Sequence, residues 1–251
     1  MKQYTCTWGT VRLVLLIIFL IVPLASAGIV SVKAAVAIDR TKPLEDRMAA
    51  ILDLGASTNE STAPMLLGIL RDASEETRIR MSAVLALTKI GTPRAEILRT
   101  FESVYHESNL DKNLHYTILH SLGRMKAVET FPLLTAAMSS EDSMIRLKAV
   151  QALGTLENED ALKVLASHLT KEDDYIVRAA AVRAVGQSRG ATAEDILARA
   201  LRSDPAPLVR NNAAIMLGTF KTLRPETQAA LEAARDDASP TVRNTVRGIK
   251  P

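Results

Sequence analysis

The stretch Ile145–Gly154 reads IRLKAVQALG, Val177–Gly186 reads VRAAAVRAVG, and Val209–Gly218 reads VRNNAAIMLG. With the arginine as position zero, Arg146, Arg178, Arg210 and Arg243 follow one another at 32, 32 and 33 residues. Upstream, Arg47 opens RMAAILDLG, Arg80 opens RMSAVLALT and His115 opens HYTILHSLG, at spacings of 33, 35 and then 31 to Arg146. Six full units and a seventh half unit therefore cover residues 43–251. Self-similarity at this period is the signature of an array in which each unit contacts only its neighbours.

Apolar residues stand one before position zero and three, four and seven after it, as in Ile145, Ala149, Val150 and Leu153. That spacing forms one stripe of a helix and cannot alternate across a strand. The residue three after the arginine is mostly alanine (Ala50, Ala83, Ala149, Ala181, Ala213), which lets a neighbouring helix approach closely. Gly55, Gly123, Gly154, Gly186 and Gly218 come eight after position zero, where a left-handed or tightly packed helix end favours glycine.

A second helix follows each glycine. Met65, Leu133, Val164 and Ile196 stand ten residues on, Leu66, Leu134, Leu165 and Leu197 eleven on, and Leu70, Met138, Leu169 and Leu201 fifteen on, again a single stripe. A hairpin with two apolar stripes cannot bury both alone, so it must stack. The expected fold is all-α, a right-handed α-solenoid of about six and a half helical hairpins.

The Trp and Tyr signature of tetratricopeptides is missing, as is the T-P-L-H of ankyrins. The run D-x-x-P-x-V-R followed by Ala and Leu-Gly is clearest at Asp204–Arg210 and Asp237–Arg243. It resembles the short HEAT-like repeats of the bilin-lyase type. That resemblance implies a fold of stacked hairpins and, across the family, mostly binding scaffolds.

Lys2 and Arg12 lead into LVLLIIFLIV at residues 13–22, followed by Pro23 and Ala25-Ser26-Ala27. These are the parts of a secretory signal with cleavage after Ala27, so residues 1–27 are expected to be a signal peptide and 28–42 a linker. An uncleaved anchor over residues 13–32 is the alternative. The expected location is the periplasm or cell envelope, with membrane attachment only through that uncleaved segment.

The formal charge is +3, but residues 1–27 contain Lys2, Arg12 and no acid. The remainder carries 29 basic and 28 acidic residues, a net of +1, which gives little support to nucleic-acid binding. The sole cysteine, Cys6, precedes the apolar run, leaving the repeats without a thiol.

Stacked helices lie about 8–10 Å apart, so Arg80, Arg146, Arg178, Arg210 and Arg243 would form a column. Glu172, Asp204 and Asp237 stand six residues ahead of Arg178, Arg210 and Arg243. Like charges at such a pitch are more comfortable with interleaved carboxylates, so these residues are read as a structural ladder tying consecutive repeats.

His115 and His120 are five apart, which does not place two ligands on one helix face. Iron-binding HEAT-like hydroxylases use several His-Glu pairs, whereas this chain has one, His106-Glu107. Neither G-x-S-x-G nor G-x-x-x-x-G-K occurs. The chain is expected to have no catalytic residues, no metal and no cofactor.

On the second helices, the positions nine, twelve, thirteen and sixteen after the glycine are expected to face outward as a small, mildly basic surface. Its Arg71, Lys163, Arg199 and Arg202 would meet an acidic partner. The expected function is a non-enzymatic protein–protein interaction scaffold binding an unidentified protein on the concave face. Alternatives are a bilin lyase or isomerase-like subunit and, less favoured, a nucleic-acid-binding HEAT-like protein.

Overall fold

The structure, a computed structural model, describes residues 30–249. The expected signal peptide, Cys6 and most of the alternative anchor lie outside them. Every regular element among the described residues is a helix, and none is long and apolar enough to cross a membrane.

The chain divides into two compact units, one ending at Ile97 and the other beginning at Leu98. The first holds α1 (residues 30–38), α2 (Leu44–Ala56), a 3-10 turn into α3 (Ala63–Arg71), and α4 (Thr77–Ile90). Helix α5 (Arg94–Tyr105) carries the chain into the second, which continues with α6 (Lys112–Arg124) and α7 (Phe131–Ala137). Then come α8 (Ser143–Gly154), α9 (Glu159–Leu169), α10 (Tyr175–Val185) and α11 (Ala191–Ser203), followed by α12 (Pro207–Leu217), α13 (Pro225–Ala233) and α14 (Pro240–Gly248). Both units are stacks of helical hairpins in solenoid fashion.

Stacking follows the apolar stripe. In the second unit the first helices pack in file, α6 on α8, α8 on α10, α10 on α12 and α12 on α14, while α9 packs on α11 and α11 on α13. Val177, Ala181, Val182 and Val185 of α10 are buried, as are Val209, Ala213, Ala214 and Leu217 of α12 and Ile79, Ala83, Val84 and Leu87 of α4. Each fully buried Val, Leu or Ile contributes about 1.5–3 kcal/mol, so an aromatic-poor chain assembles its core from many small increments.

Helix starts are set by short polar side chains. Asp142, Asp174 and Asn158 accept hydrogen bonds from the first-turn amides of α8, α10 and α9. Where Pro207 and Pro240 open α12 and α14, no amide at that position needs a partner.

The structure resolves which property the recurrent glycine supplies. Gly186 and Gly218 close their helices at φ −69° and −62°, right-handed values, so no left-handed turn occurs there. A Cβ on Gly154 would instead lie 2.6 Å from Ala184 Cβ on the next first helix, so the glycine is required by close packing. The left-handed position comes three residues later: Thr58, Gly91, Lys126 and Glu157 have φ of 50°, 74°, 47° and 51°. They all stand eleven after position zero, so one turn geometry recurs in four units while its residue type does not.

Two further expectations are corrected. Residues 30–38, inside the stretch expected to be a linker, form α1, whose Ala37 is buried. The alanines at 34, 35 and 37 favour helix, and the Ala37 carbonyl accepts from Arg47 Nε at 3.0 Å. On the second helices, position twelve faces inward in two units, where Leu67 and Ala198 are buried because the stripe is wide enough to include it, while Thr135 and Ala166 are half-buried.

Candidate functional site

The position-zero arginines are built into the stack. Arg178 Nε and Nη2 donate to Asp204 Oδ2 and Oδ1 at 2.9 and 3.2 Å. Arg210 holds Asp237 at 2.8 and 2.8 Å, and Arg146 holds Glu172 at 2.8 and 2.9 Å, in the same two-pronged way. The remaining nitrogen, Nη1, turns back to the loop before its own helix. Arg178 Nη1 reaches the carbonyls of Glu172 and Asp173, and Arg210 Nη1 those of Asp204 and Pro205. Arg243 Nη1 bonds the Asp237 and Ala238 carbonyls in the same manner. Each carboxylate also accepts an amide two residues on, as Asp204 does from Ala206 at 2.9 Å and Asp237 from Ser239 at 2.8 Å. One guanidinium thus fastens its own loop and the next one.

Electrostatics follow from this geometry. The Arg210 hydrogen bond holds the Asp237 carboxyl below its ordinary value, and Arg47 does the same to Glu75. Burial pushes Glu172 up, but the Arg146 hydrogen bond and the Asp174 amide overcome it and leave the group below its ordinary value.

The early units use a variant. Arg47 and Arg80 donate Nε to the carbonyls of Ala37 and Leu70, ten residues upstream, and His115 Nε2 lies 3.1 Å from the Tyr105 carbonyl at the same separation. His115 has taken over the arginine's local bond. Its repeat lacks the acid as well, since Ser140 stands where Glu172, Asp204 and Asp237 stand in later units. There Asp142 takes over, bound by Lys112 Nζ at 2.8 Å and by the Tyr116 hydroxyl at 3.1 Å. Lys112 above all brings its carboxyl down to about 2.

Of the four side chains expected to meet a partner, two are engaged by acids. Arg71 ends α3 in the first compact unit and pairs with Glu96 at 3.0 Å. Lys163 pairs with Asp160, one turn back on α9, at 3.3 Å. Arg199 and Arg202 lie exposed on α11 and have no ion pair among the described residues. Arg199 borders a cleft of about 300 Å³ between α9 and α11, beside the Arg178–Asp204 pair.

A second groove of about 300 Å³ runs over α6, α8 and α10, the first helices. Its walls carry His120, Arg124, Lys148 and Arg183, and its floor is Gly123, Ala152, Ala180 and Ala184. Sequence reasoning scanned only the second helices for a surface and missed this one. The available signal was a column of basic residues two, five and nine after position zero in three consecutive units. Burial, then Lys148 and Arg124, hold the His120 imidazole below its ordinary value.

No group of three or more His, Cys, Asp or Glu side chains among the described residues is arranged to hold a metal. A larger cavity of about 690 Å³ opens against α13 and α14, lined by Phe220, Leu223, Leu231, Val246 and Ile249 among others.

The family model for HEAT repeats matches residues 106–186 and 165–250, more than half of the chain. The chain belongs to the HEAT repeat family. No curated protein sequence matches it. Among solved structures, an engineered protein is similar over 87% of this chain and 66% of its own, with 14% identity and a TM-score of 0.50. The complex of CpcE and CpcF of phycocyanin lyase from Nostoc sp. PCC7120 is similar over 86% and 93%, with 19% identity and a TM-score of 0.48. Human deoxyhypusine hydroxylase in complex with glycerol is similar over 90% and 96%, with 23% identity and a TM-score of 0.41. At 14% identity the likeness to the engineered protein bears on the fold alone.

Proposed function

We propose that this HEAT repeat protein is a non-enzymatic interaction scaffold, exported to the cell envelope, that binds another protein on the surface of its stacked hairpins. The observation that carries the reading is the division of charge. Arg146, Arg178 and Arg210 and their acids are engaged in repeat-to-repeat ion pairs, whereas Arg199, Arg202 and the basic residues over α6, α8 and α10 have their charges directed to solvent. A stack held by its own ladder leaves its faces available for recognition.

Export rests on the basic, apolar and small-residue order of residues 2–27. The test is fractionation with mass spectrometry of the mature N-terminus, followed by affinity capture from the envelope fraction at physiological salt. A chain beginning at Gly28 in that fraction, with one stoichiometric protein that rebinds after purification, is the expected result. A cytosolic chain retaining Met1 overturns export, and capture of no protein overturns the scaffold reading.

A further inference from the structure

The groove over α6, α8 and α10 carries charge of one sign. His120, Arg124, Lys148 and Arg183 line it from three consecutive repeats, and no carboxylate lines it among the described residues. In the ladder, by contrast, Arg146, Arg178 and Arg210 each hold an acid, as does Arg224. Arg124, Lys148 and Arg183 have no ion pair among the described residues.

The floor explains why a groove exists at all. Gly123 and Gly154 let α6, α8 and α10 approach until a Cβ on either glycine would collide with Ala152 or Ala184. With nothing larger than alanine or threonine there, a chain can come down between the basic walls. Gln151 and Gln187 stand at its rim, each with an amide able both to donate to and to accept from a peptide backbone.

We infer that this groove binds an extended acidic peptide segment of a protein partner. The inference rests on the scaffold reading above and names the partner's chemistry and the face it uses. Stacked helices are about 8–10 Å apart, and a chain in the polyproline II conformation rises about 3.1 Å per residue with three residues per turn, which puts every third side chain on one face. A carboxylate at every third residue therefore meets one cation per repeat, at Arg124, Lys148 and Arg183 in turn. A nucleic acid fits the groove less well, because His120 is the only ring in its walls and single-stranded binding draws on aromatic stacking.

The experiment uses the purified full chain and a fluorescein-labelled peptide carrying glutamate at every third position, with the matching lysine peptide as control. Anisotropy at about 150 mM salt is expected to show saturable binding of the glutamate peptide only. K148E/R183E is expected to weaken it about tenfold or more, and R199E/R202E to leave it unchanged. K148Q/R183Q, expected to give a smaller loss, keeps the test readable if charge reversal unfolds the chain, which far-UV circular dichroism reports. Equal binding by a folded K148E/R183E or K148Q/R183Q protein, loss in R199E/R202E instead, no binding by the wild type, or tighter binding of duplex DNA each overturns the inference. If an envelope partner is captured equally by wild type and K148E/R183E, the groove assignment falls while the scaffold reading stands.

Discussion

Arg178 and Asp204 stand in adjacent repeats, and the two-pronged hydrogen bond between them joins a guanidinium and a carboxylate that are both nearly shielded from water. The pair is the middle rung of three consecutive ones, Arg146–Glu172, Arg178–Asp204 and Arg210–Asp237. Because Asp204 also anchors the loop that Arg210 Nη1 grips, each rung sets the geometry of the next.

Removing Asp204 leaves the buried Arg178 charge with only the Glu172 and Asp173 carbonyls as partners. Asp204→Ala is expected to lower stability by about 3 kcal/mol, since Arg178 keeps its charge. Replacing both with apolar residues of similar volume, as in R178M/D204L, is expected to cost less than D204A alone. Urea unfolding followed by circular dichroism checks both. A loss below about 1 kcal/mol for D204A would mean that the pair is no stronger than a surface ion pair.

Acid sensitivity follows from the depressed carboxyls. Glu75, Glu172 and Asp237 lie below their ordinary values and Asp142 lies at about 2, so the folded state holds them ionised more readily than the unfolded chain does. Their contribution is complete above the ordinary carboxylate values of 4.5 and 3.8 and is lost as pH falls through the folded ones. Unfolding free energy is therefore expected to be lower at pH about 3 than at pH about 6, with a shallower decline in Lys112→Gln, in which Asp142 loses the cation that depresses it most. Equal acid slopes in wild type and K112Q would contradict this origin.

The packing glycines separate cleanly from a permissive one. Gly154→Ala places a methyl group 2.6 Å from Ala184 Cβ and 3.0 Å from its Cα, so α8 and α10 must separate, and a loss of about 1–3 kcal/mol is expected. Gly68→Ala, in α3, meets nothing within 4 Å and is expected to raise stability by up to about 1 kcal/mol. Thermal melts of the two variants should move in opposite directions, and a neutral G154A would show that the repeats have room to slide apart.

The repeat, the helical hairpins and the stripes that stack them were legible from residue spacing alone. An array of near-identical units is bound by contacts between neighbours, so Ile145, Ala149, Val150 and Leu153 announce both their helix and its burial. The direction of each arginine was legible only in part, because charge alternation along the chain says that a partner exists without saying that Nη1 turns backward while Nε reaches forward. Likewise the glycine eight after the arginine was visible, yet the left-handed turn lies three residues later, on Thr58, Lys126 and Glu157, whose residue types give no such signal.

What belongs to the tertiary structure is the basic groove. His120 and Arg124, Lys148, and Arg183 come from three different helices, each of which supplies only one or two of them. Their charges become one surface because small residues let three first helices close to contact, and that distance between separate segments of chain is a quantity local periodicity does not carry. Periodicity determined what stacks on what; the depth of that stacking decided where unanswered charge collects.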